Sequence, residues 1–521
     1  MKLTIYQDGS PTVLEYSTPV RLSTLFAGAH IPLAMPCGGQ RRCHKCKVIA
    51  HGALSSLSEE ESKLLTPEEV ARGIRFACMT TVLGDAEIVL PDQAQQRIVT
   101  TGQLPDFPLS PWSAGYGIAF DIGTTTIAAY LYQLASGTLL ASAAENNPQG
   151  AFGADVISRI SYAISGGTAM LAEAIRSCAN RMMLRLCRMA NISISDLGAV
   201  VFTGNTAMQY FLTGSDPSSI AHAPFAQDRY FGEFCPAKML GLASADASVY
   251  ITRCISAYVG GDITSGILST GMTSAKEPVL LADIGTNGEL ALSVEGKLLC
   301  CSTAAGPAFE GAGIYMGMTA SDGAISHVSV KNETISYETI GGAAPVGICG
   351  SGIIDAIAAC LTLGFIDETG AIDDLFLPNE LYTEADGVPA IRFPNSGVVL
   401  TQKDIRAVQL AKSAICAGII TLLSTAGLHA DDIGQLLIAG GFGTVLNVEN
   451  AQAIGFMPPG FSGRIAAVGN AAGMGAVMQL LSREMIADAE RLAQNAQTVE
   501  LSTNPVFRDA YMEHMLFPER H

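Results

Sequence analysis

Short apolar and polar runs alternate along the first part of the chain. Alternation with a period of two predicts strands at Lys2–Tyr6, Thr12–Tyr16, Lys47–Ala50 and Ala86–Leu90, the first two forming a hairpin. Helical spacing predicts helices at Arg21–Ala29, Glu59–Leu65 and Pro67–Arg72. We therefore expect a small domain of strands and short helices over residues 1–92.

The pattern of apolar and polar residues changes between about Pro91 and Gly115. Prolines recur at positions 105, 108 and 111, and the stretch has neither a helical nor a strand period. We expect a short, semi-extended linker over residues 93–114 that tethers the first domain to the rest of the chain. The single tryptophan, Trp112, either docks the end of this linker or serves only in packing.

The larger region contains one strand motif twice. Gly117–Thr126 and Val279–Glu289 each run from an apolar strand into the sequence Asp-Ile-Gly-Thr. A second pair of similar stretches follows: Val201–Met208 comes after the first copy and Val468–Met474 after the second. A single Asp-Gly turn would mean little, because these residues favour turns everywhere, but two ordered pairs indicate an internal repeat.

The repeat predicts two similar α/β halves that face each other. We place the first half at residues 115–281 and the second at residues 282–500, followed by a C-terminal tail over residues 501–521. The long apolar run after Lys412 reads as a buried helix, and Thr401 with Asp404 forms a capping box that opens it.

The Asp-Ile-Gly-Thr motif suits a phosphate site. A strand delivers Asp121, and in the repeat Asp283, to its carboxyl end, and the next glycine turns the chain so that N–H groups and hydroxyls face outward. Such donors bind phosphate oxygens, while an aspartate holds hydrated Mg²⁺ or orients a water molecule. We expect the two aspartates to face one another across a cleft that binds Mg-ATP. The candidate nucleotide-contacting residues of the two loops are Gly123, Thr124, Thr125, Gly285, Thr286 and Asn287.

Other residues join this cleft in the prediction. Glu289 is the third candidate catalytic carboxylate, and Asp262 is a fourth, for activating water or holding Mg²⁺; a helix-capping or solvated acid explains each equally well. Asn205 is expected to orient the loop near the phosphates. An alternative is an ancestral nucleotide fold whose site has decayed.

A glycine-rich strand end supplies the expected nucleoside contacts. Leu436–Ala439 reads as a buried strand that runs into Gly440, Gly441 and Gly443. Only glycine lets the backbone approach a flat adenine or a ribose closely.

Composition narrows the function classes. The chain has 521 residues, enough for about three domains, and a formal net charge of −18. This charge opposes binding to nucleic acid and attraction to an anionic membrane surface. The N-terminus lacks the long apolar run of a signal peptide, and the longest apolar stretch, Ser413–Leu428, is too short and too rich in small residues for a membrane span. A cytoplasmic location is expected.

Four of the thirteen cysteines form a metal-ligand pattern. Cys37, Cys43 and Cys46 have the spacing C-x5-C-x2-C, and Cys78 follows at a distance. Three thiolates on one loop and a later fourth are typical of a [2Fe–2S] cluster. A structural zinc site is the alternative, although it usually has two close cysteine pairs. The other nine cysteines lie in apolar surroundings, as free core cysteines do, which fits a reducing compartment.

Two family resemblances follow from these motifs. The cysteine loop and the order of elements over residues 1–92 resemble the β-grasp [2Fe–2S] ferredoxins, in the x5 spacing variant. Residues 115–480 resemble the acetate and sugar kinase/Hsp70/actin superfamily, a duplicated RNase H-like ATPase fold. In this resemblance Asp121–Thr126 and Asp283–Glu289 are the phosphate motifs, Gly440–Gly443 is the adenosine motif, and Gly204–Thr206 and Gly469–Gly473 are the connecting motifs.

The two halves together resemble the reductive activators of corrinoid proteins, including those of O-demethylase and other methyltransferase systems. The stretches Asn147–Ile160, Cys301–Gly311, Gly347–Asp355 and Leu400–Arg406 are similar to that family as well. The resemblance implies a [2Fe–2S] cluster, ATP and Mg²⁺ as cofactors, a corrinoid protein and an electron donor as partners, and a homodimer.

The implied activity is ATP-dependent transfer of one electron from the cluster to Co(II) of a partner corrinoid, which restores Co(I) for methyl transfer. One alternative is an electron injector for another low-potential enzyme, such as a 2-hydroxyacyl-CoA dehydratase. Those activators share a [4Fe–4S] cluster between subunits and have no ferredoxin domain. A small-molecule kinase with a fused cluster is the other alternative.

Overall fold

The structure is a computed structural model of the full chain. It describes residues 1–7, 10–29, 31, 33, 41, 46–90, 102, 104–223, 225–373, 375–440 and 446–519. The predicted positions Cys37, Cys43, Gly441 and Gly443, and residues 91–101, lie outside the described residues.

The N-terminal domain is a mixed sheet with short helices. Its elements are β1 (Lys2–Gln7), β2 (Ser10–Glu15), β3 (Val20–Arg21), α1 (Leu22–Gly28), β4 (Lys47–Leu54), α2 (Glu59–Leu64), α3 (Pro67–Ala71), β5 (Ile74–Phe76) and β6 (Thr81–Val89). The strand order is β2-β1-β6-β4-β5, with β3 also paired to β6. The central pair, β1 and β6, is parallel, whereas β1 with β2 and β4 with β6 are antiparallel.

All seven elements predicted for this domain are confirmed, with bounds that differ by a few residues. The last strand begins earlier than expected, at Thr81, because its first residues pair with β3 and with the end of β4. The short strands β3 and β5 escaped prediction because two or three residues show no period. Leu3, Phe26 and Ile88 lie in the core of the domain.

The next part of the chain forms a six-stranded sheet covered by helices. Its elements are β7 (Tyr116–Ile122), β8 (Thr126–Gln133), β9 (Thr138–Asn146), α4 (Val156–Tyr162), α5 (Thr168–Ala190), β10 (Leu197–Gly204), α6 (Thr206–Thr213), α7 (Ser218–Ala221), β11 (Glu233–Pro236), β12 (Ser248–Ile251) and α8 (Gly261–Thr270). The strand order is β11-β12-β10-β7-β8-β9.

A second six-stranded sheet follows, with two small three-stranded sheets in the same part of the chain. Its elements are β13 (Val279–Ile284), β14 (Gly288–Val294), β15 (Lys297–Thr303), β16 (Ala324–Lys331), β17 (Thr334–Thr339), β18 (Gly347–Ile348), α9 (Gly350–Leu363), β19 (Tyr382–Ala385), β20 (Val388–Arg392), β21 (Val399–Thr401), α10 (Gln402–Ala426), β22 (Gln435–Ala439), α11 (Val448–Ala453), β23 (Arg464–Gly469), α12 (Ala471–Leu481), α13 (Arg483–Asn495), β24 (Gln497–Thr498) and α14 (Pro505–Glu513). The strand order is β23-β22-β13-β14-β15-β24, and the two small sheets are β17-β16-β18 and β19-β20-β21.

The two large sheets share one topology, as the repeat predicts. In each, a central strand (β7 or β13) pairs antiparallel with the next strand and parallel with a later one. The two Asp-Ile-Gly-Thr motifs end these equivalent central strands. The helices α8 and α12, which follow the outer parallel strands β12 and β23, pack against each other between the sheets.

The second pair of similar stretches in the sequence, however, was assigned wrongly. Val201–Met208 covers the end of β10, the strand next to the centre, whereas Val468–Met474 covers the end of β23, one strand further out. The structural equivalent of the Gly204 turn is therefore the Gly440 turn after β22. The connecting position that matches Gly469–Gly473 is the start of α8 at Gly260–Asp262. A strand that ends in glycine before a helix occurs at several strand-to-helix connections of both sheets. Sequence similarity between two such connections therefore did not identify structurally equivalent strands.

The predicted linker is docked on the protein over its second part. The indole N–H of Trp112 donates to the backbone O of Gln479 at 2.9 Å, which confirms docking by that side chain. Ser110 N–H donates to Leu481 O at 3.1 Å, and Arg483 N–H donates to Ser110 O at 2.9 Å. This part of the chain is therefore not a free tether.

The helix α10 is the buried helix that the apolar run predicts, with the Thr401–Asp404 capping box formed. By length and composition alone it is apolar enough to cross a membrane, but 78% of its most apolar window is buried inside the protein. The C-terminal segment covers it, because Lys412 Nζ donates to Leu516 O and Ser413 Oγ donates to Tyr511 O. Residues 501–519 thus include a docked helix, α14, where a tail was expected.

Candidate nucleotide cleft and cysteine site

The two repeated aspartates lie at equivalent strand ends and face the space between the halves. Asp121 pairs in register with Thr203 of β10, and Asp283 with Ala439 of β22. The carboxyl ends of parallel strands are where open α/β sheets bind ligands. Both aspartates therefore lie at the edge of the sheet where such folds bind ligands, as the prediction of a cleft requires.

Two further acids join them. Glu289 of β14 lies directly opposite Asp283 in the antiparallel register, and Asp262 occupies the first turn of α8. Burial raises the pKa of Asp262 to about 8, and the charges of Asp283 and Asp121 add to this shift. Burial, then the charges of Asp262 and Asp283, raises the pKa of Glu289 well above its usual value. The charges of these acids act on one another, so Asp262 lies beside the other acids.

The two central aspartates are also hard to ionise. Burial raises the pKa of Asp283 to about 7, helped by the charges of Asp121 and Glu310. Burial raises the pKa of Asp121 to about 6, although a hydrogen bond from Asn470 opposes the shift. That bond runs from Asn470 Nδ2 to Asp121 Oδ2 at 2.9 Å, so a residue of the second half holds the aspartate of the first.

The hydroxyls of the phosphate loops are engaged by protein groups. Asn205 Nδ2 donates to Thr124 Oγ1 at 3.0 Å, so Asn205 contacts the loop that it was predicted to orient. Thr286 Oγ1 donates to Glu310 Oε2 at 2.7 Å, and Thr125 Oγ1 donates to the same oxygen at 3.3 Å. One carboxylate therefore joins the two loops across the cleft.

Glycines bring the backbone close to the acids. Gly440 has a φ of +91°, and a Cβ there would lie 2.9 Å from Ile284 O and 3.3 Å from Asp283 Oδ1. A side chain at this position would fill the space beside the aspartate. A small cavity at the base of the cleft is lined by residues of both halves: Val156, Asn205, Thr206, Ala207, Ala257, Tyr258, Asn287 and Glu289.

The arrangement of Asp121, Asp283 and their acidic neighbours suits a Mg²⁺ ion that is bound together with a phosphate ligand. Within the described part of the chain, no three His, Cys, Asp or Glu side chains are close enough together to bind a metal by themselves. Mg²⁺ usually takes one or two carboxylates and completes its shell with substrate phosphates and water. Asp121, Asp283 and the neighbouring acids fit that mode.

Sequence reasoning missed two residues of the cleft, Glu310 and Asn470. Both lie in stretches that resemble the family, but their spacing in the sequence does not indicate which residues they contact. Glu310 meets Thr125 across 185 positions and Asn470 meets Asp121 across 349. Such pairs exist only once the halves are assembled.

In the N-terminal domain two of the four predicted cysteines lie side by side. Cys46 and Cys78 are both buried, and Cys78 N–H donates to Cys46 Sγ at 3.5 Å. The hydrogen bond with Cys46 lowers the pKa of the Cys78 thiol to about 7. A lowered thiol pKa favours the thiolate, which is the form that binds metal.

A buried ion pair fixes the backbone beside Cys78. Glu61 accepts hydrogen bonds from Arg75 Nε at 2.9 Å and from Arg75 Nη2 at 2.8 Å, and also from Phe76 N–H at 2.9 Å. Its side chain is fully buried. Removing either partner would leave an uncompensated buried charge, which is strongly destabilising. The pair therefore favours the backbone position of Phe76, two residues before Cys78.

Comparison with known proteins places the chain in a family. Residues 116–275 match the family model described as the RACo middle region, and residues 277–521 match the C-terminal domain of RACo, the ASKHA domain. The corrinoid activation enzyme RamQ of Eubacterium limosum is 36% identical over 425 residues, which cover 77% of this chain and 70% of that protein. The chain belongs to the RACo family of reductive activators of corrinoid proteins.

Further relatives of this RACo-family chain agree. The [Co(II) methylated amine-specific corrinoid protein] reductase of Methanosarcina barkeri is 26% identical over 432 residues, 76% of each chain. A solved structure described as a reductive activator for corrinoid, iron-sulfur protein superposes with a TM-score of 0.73 and 30% identity, covering 99% of this chain and 98% of that one. The ASKHA fold, the acetate and sugar kinase/Hsp70/actin fold, is thus confirmed for the C-terminal region, residues 277–521.

The raised pKa of Asp283 predicts a pH-dependent stability. Between pH 4 and about 7 the folded protein keeps a proton on Asp283 that the unfolded chain has lost, so stability falls as pH rises through this window. Asp283→Asn should therefore raise the melting temperature at pH 8 by about 2 °C or more and leave it unchanged near pH 4. Thermal scans without nucleotide at both pH values, with Asp246→Asn at an exposed site as control, measure this. An equal gain at both pH values would contradict the assignment.

The Glu310 contact predicts an effect on nucleotide affinity. Because its carboxylate accepts both threonine hydroxyls, incoming phosphate oxygens must displace it against like-charge repulsion. Glu310→Gln removes the charge at nearly constant shape and should tighten ATP binding by about three- to tenfold. Titration calorimetry at pH 8, with Glu338→Gln on β17 as matched control, tests this. Weaker binding of the variant would show instead that Glu310 assists the bound ligand.

Proposed function

We propose that the protein binds Mg-ATP in the cleft between the two halves and couples its hydrolysis to the reduction of Co(II) to Co(I) in a partner corrinoid protein. The observation that carries the proposal is the gathering of Asp121, Asp262 and Asp283 at the ends of the repeated strands and helices of a RACo-family ASKHA domain. Family membership favours this function over the dehydratase activator and the fused kinase that the sequence left open.

The nucleotide would be held by both phosphate loops. We assign its phosphates to the N–H groups and hydroxyls of Gly123, Thr124 and Thr125 on one side and of Gly285, Thr286 and Asn287 on the other. Gly440, with Gly441 and Gly443, would face the nucleoside. Asp121 and Asp283 would hold hydrated Mg²⁺, and Glu289 would orient the attacking water from its position opposite Asp283.

Protons in the cleft would leave as the nucleotide enters. Since the pKa values of Asp121, Asp262 and Asp283 are raised to about 6, 8 and 7, part of the cluster is protonated near neutral pH. A divalent cation favours the ionised carboxylates. Binding of Mg-ATP should therefore release protons, and it replaces like-charge repulsion inside the cleft with attraction to the cation.

We further propose that residues 1–92 form a β-grasp ferredoxin-like domain that holds a [2Fe–2S] cluster. The strand order β2-β1-β6-β4-β5, with a parallel central pair, supports the β-grasp assignment. The adjacent thiols of Cys46 and Cys78 fit two ligands of the cluster, and Cys37 and Cys43 would supply the other two. When bound, such a cluster supplies one electron at low potential.

ATP can assist an uphill electron transfer only through differential binding. Each ~59 mV of deficit in a one-electron step corresponds to a factor of ten, about 1.4 kcal/mol. The nucleotide must therefore change how tightly the activator holds the Co(II) and Co(I) forms of its partner. We propose that closure of the two halves on Mg-ATP clamps the Co(II) protein, and that hydrolysis releases the Co(I) form.

Several expectations from the sequence remain proposals of the same kind. They are the division into residues 1–92, 93–114, 115–281, 282–500 and 501–521, a separate electron donor for the cluster, a homodimer and a cytoplasmic location. Trp112 and α14 contact α12 and α10, so the end of the proposed linker near Trp112 and the proposed C-terminal tail pack on the second half.

Asp121→Asn should separate electron transfer from ATP coupling. The amide keeps the shape that Asn470 contacts but loses the charge that would hold Mg²⁺, so ATP hydrolysis should fall by at least about 100-fold. Formation of Co(I) from a Co(II) corrinoid protein, followed by visible absorbance with chemically reduced activator, should lose its ATP dependence. Equal ATP stimulation in the variant would refute the proposed coupling, and Asp246→Asn should behave like wild type.

The cluster assignment has its own test. Cys78→Ser, reconstituted anaerobically with iron and sulfide, should lose most of the visible absorption and the electron paramagnetic resonance signal of a reduced [2Fe–2S] centre. Cys235→Ser, outside the proposed ligand set, should keep both. Retention of the full signal in Cys78→Ser, or binding of zinc in place of iron by the wild-type protein, would contradict the assignment.

A further inference from the structure

The start of α12 is contacted from both sides of the cleft. Asn470, its N-cap residue, donates through Nδ2 to Asp121 of the first half. The preceding residue, Gly469, accepts a hydrogen bond at 3.0 Å from the N–H of Gly440, which stands beside Asp283. Any movement of the two halves when nucleotide binds therefore reaches Gly469 and Asn470 directly.

The same two residues are contacted from outside the cleft by the chain that leads to the N-terminal domain. Gly102 forms an isolated antiparallel bridge with Gly469. The approach is close, because a Cβ on Gly102 would lie 2.4 Å from Met474 Cγ and 2.9 Å from Asn470 O. Only glycine fits at this contact.

From there the chain follows α12 to its other end. Phe107 packs against the cluster that contains Met474, Val477 and Leu480 of that helix. Ser110 then exchanges two backbone hydrogen bonds with the residues at the end of α12, and Trp112 adds one. We call Gly102 and residues 104–112 the strap.

The helix beneath the strap lies at the contact between the halves. It packs against α8, whose first turn carries Asp262 of the acidic cluster. Because α8 and α12 are the equivalent helices of the two halves, a rotation of one half against the other must shift them relative to each other. The strap is fastened to α12 near both of its ends and would move with it.

We propose that Gly469 and Asn470 form a relay that transmits the nucleotide state of the cleft, through α12 and the strap, to the position of the N-terminal domain. This inference rests on the proposed nucleotide site. The contacts from Asp121 through Asn470 and α12 to the strap form a continuous physical chain, and nucleotide binding would select between two arrangements of it, as coupling between distant sites requires. It would place the proposed electron-transfer domain according to whether Mg-ATP occupies the cleft.

The distance between the N-terminal domain and the ATPase domain tests the relay. Fluorophores attached to bioorthogonal residues at exposed Lys63 on α2 and exposed Glu484 on α13 avoid the thirteen cysteines. Energy transfer in the full-length, cluster-loaded protein is measured with and without a non-hydrolysable Mg-ATP analogue. Wild type should show a nucleotide-dependent change in transfer efficiency.

Gly102→Val is the decisive variant, because its side chain displaces the start of the strap from Met474 and from the backbone of Asn470, and it substitutes no residue of the cleft. Its affinity for the analogue should stay within about twofold of wild type, while the change in energy transfer falls by at least half. Phe107→Ser, which loosens the strap at its middle, should have the same effect. Gly397→Val, at an exposed glycine with open space around it, is the matched control and should behave like wild type.

The outcomes separate the relay from the proposed function. An undiminished change in both strap variants, or no change in wild type despite bound analogue, overturns the relay and leaves the nucleotide site standing. Failure of the wild-type protein to bind the analogue overturns both. Loss of affinity in Gly102→Val together with a melting temperature equal to that of Gly397→Val would also overturn the relay as drawn, since the strap would then be part of the binding site itself.

Discussion

The crowding of carboxyl groups between the two halves is the constraint on which the rest of the structure depends. Burial and mutual repulsion raise the pKa values of Asp262, Asp283 and Glu289, so ionising these carboxyl groups costs the folded protein free energy. A bound divalent cation would offset that cost. Two sets of hydrogen bonds limit it within the protein: Asn470 donates to Asp121, and the hydroxyls of Thr125 and Thr286 donate to Glu310.

The duplicated frame explains why the acids meet. Each half carries an aspartate at the end of its central strand, and each sends a helix, α8 or α12, to the contact between the sheets. A carboxylate at the start of α8 benefits from the positive end of the helix dipole, while α12 begins with an amide that donates to the opposite aspartate. The two connecting helices therefore differ in chemistry although they correspond in position.

Local signals were predictable from the sequence, and pairings across the fold were not. The Asp-Ile-Gly-Thr strands, the Thr401 capping box and the small N-terminal strands depend on neighbouring residues, and the structure contains them. The equivalence of Val201–Met208 with Val468–Met474 failed because strand order within a sheet is not written in a short motif. Docking of the proline-rich segment along α12 was predicted only as one possibility at Trp112, because an extended chain on a helix surface has no period of its own.

The covering of α10 by the end of the chain bears on how the protein is made. The helix α10, which alone in the described part of the chain is long and apolar enough to cross a membrane, is synthesised roughly a hundred residues before the groups that cover it. Lys412 meets Leu516 across 104 positions, and Ser413 meets Tyr511 across 98. Until residues 511–516 are synthesised, the outer face of α10 and the ammonium group of Lys412 are not covered by them. The second half should complete its folding only after residues 511–516 have emerged from the ribosome, and until then exposed apolar surface on α10 favours aggregation.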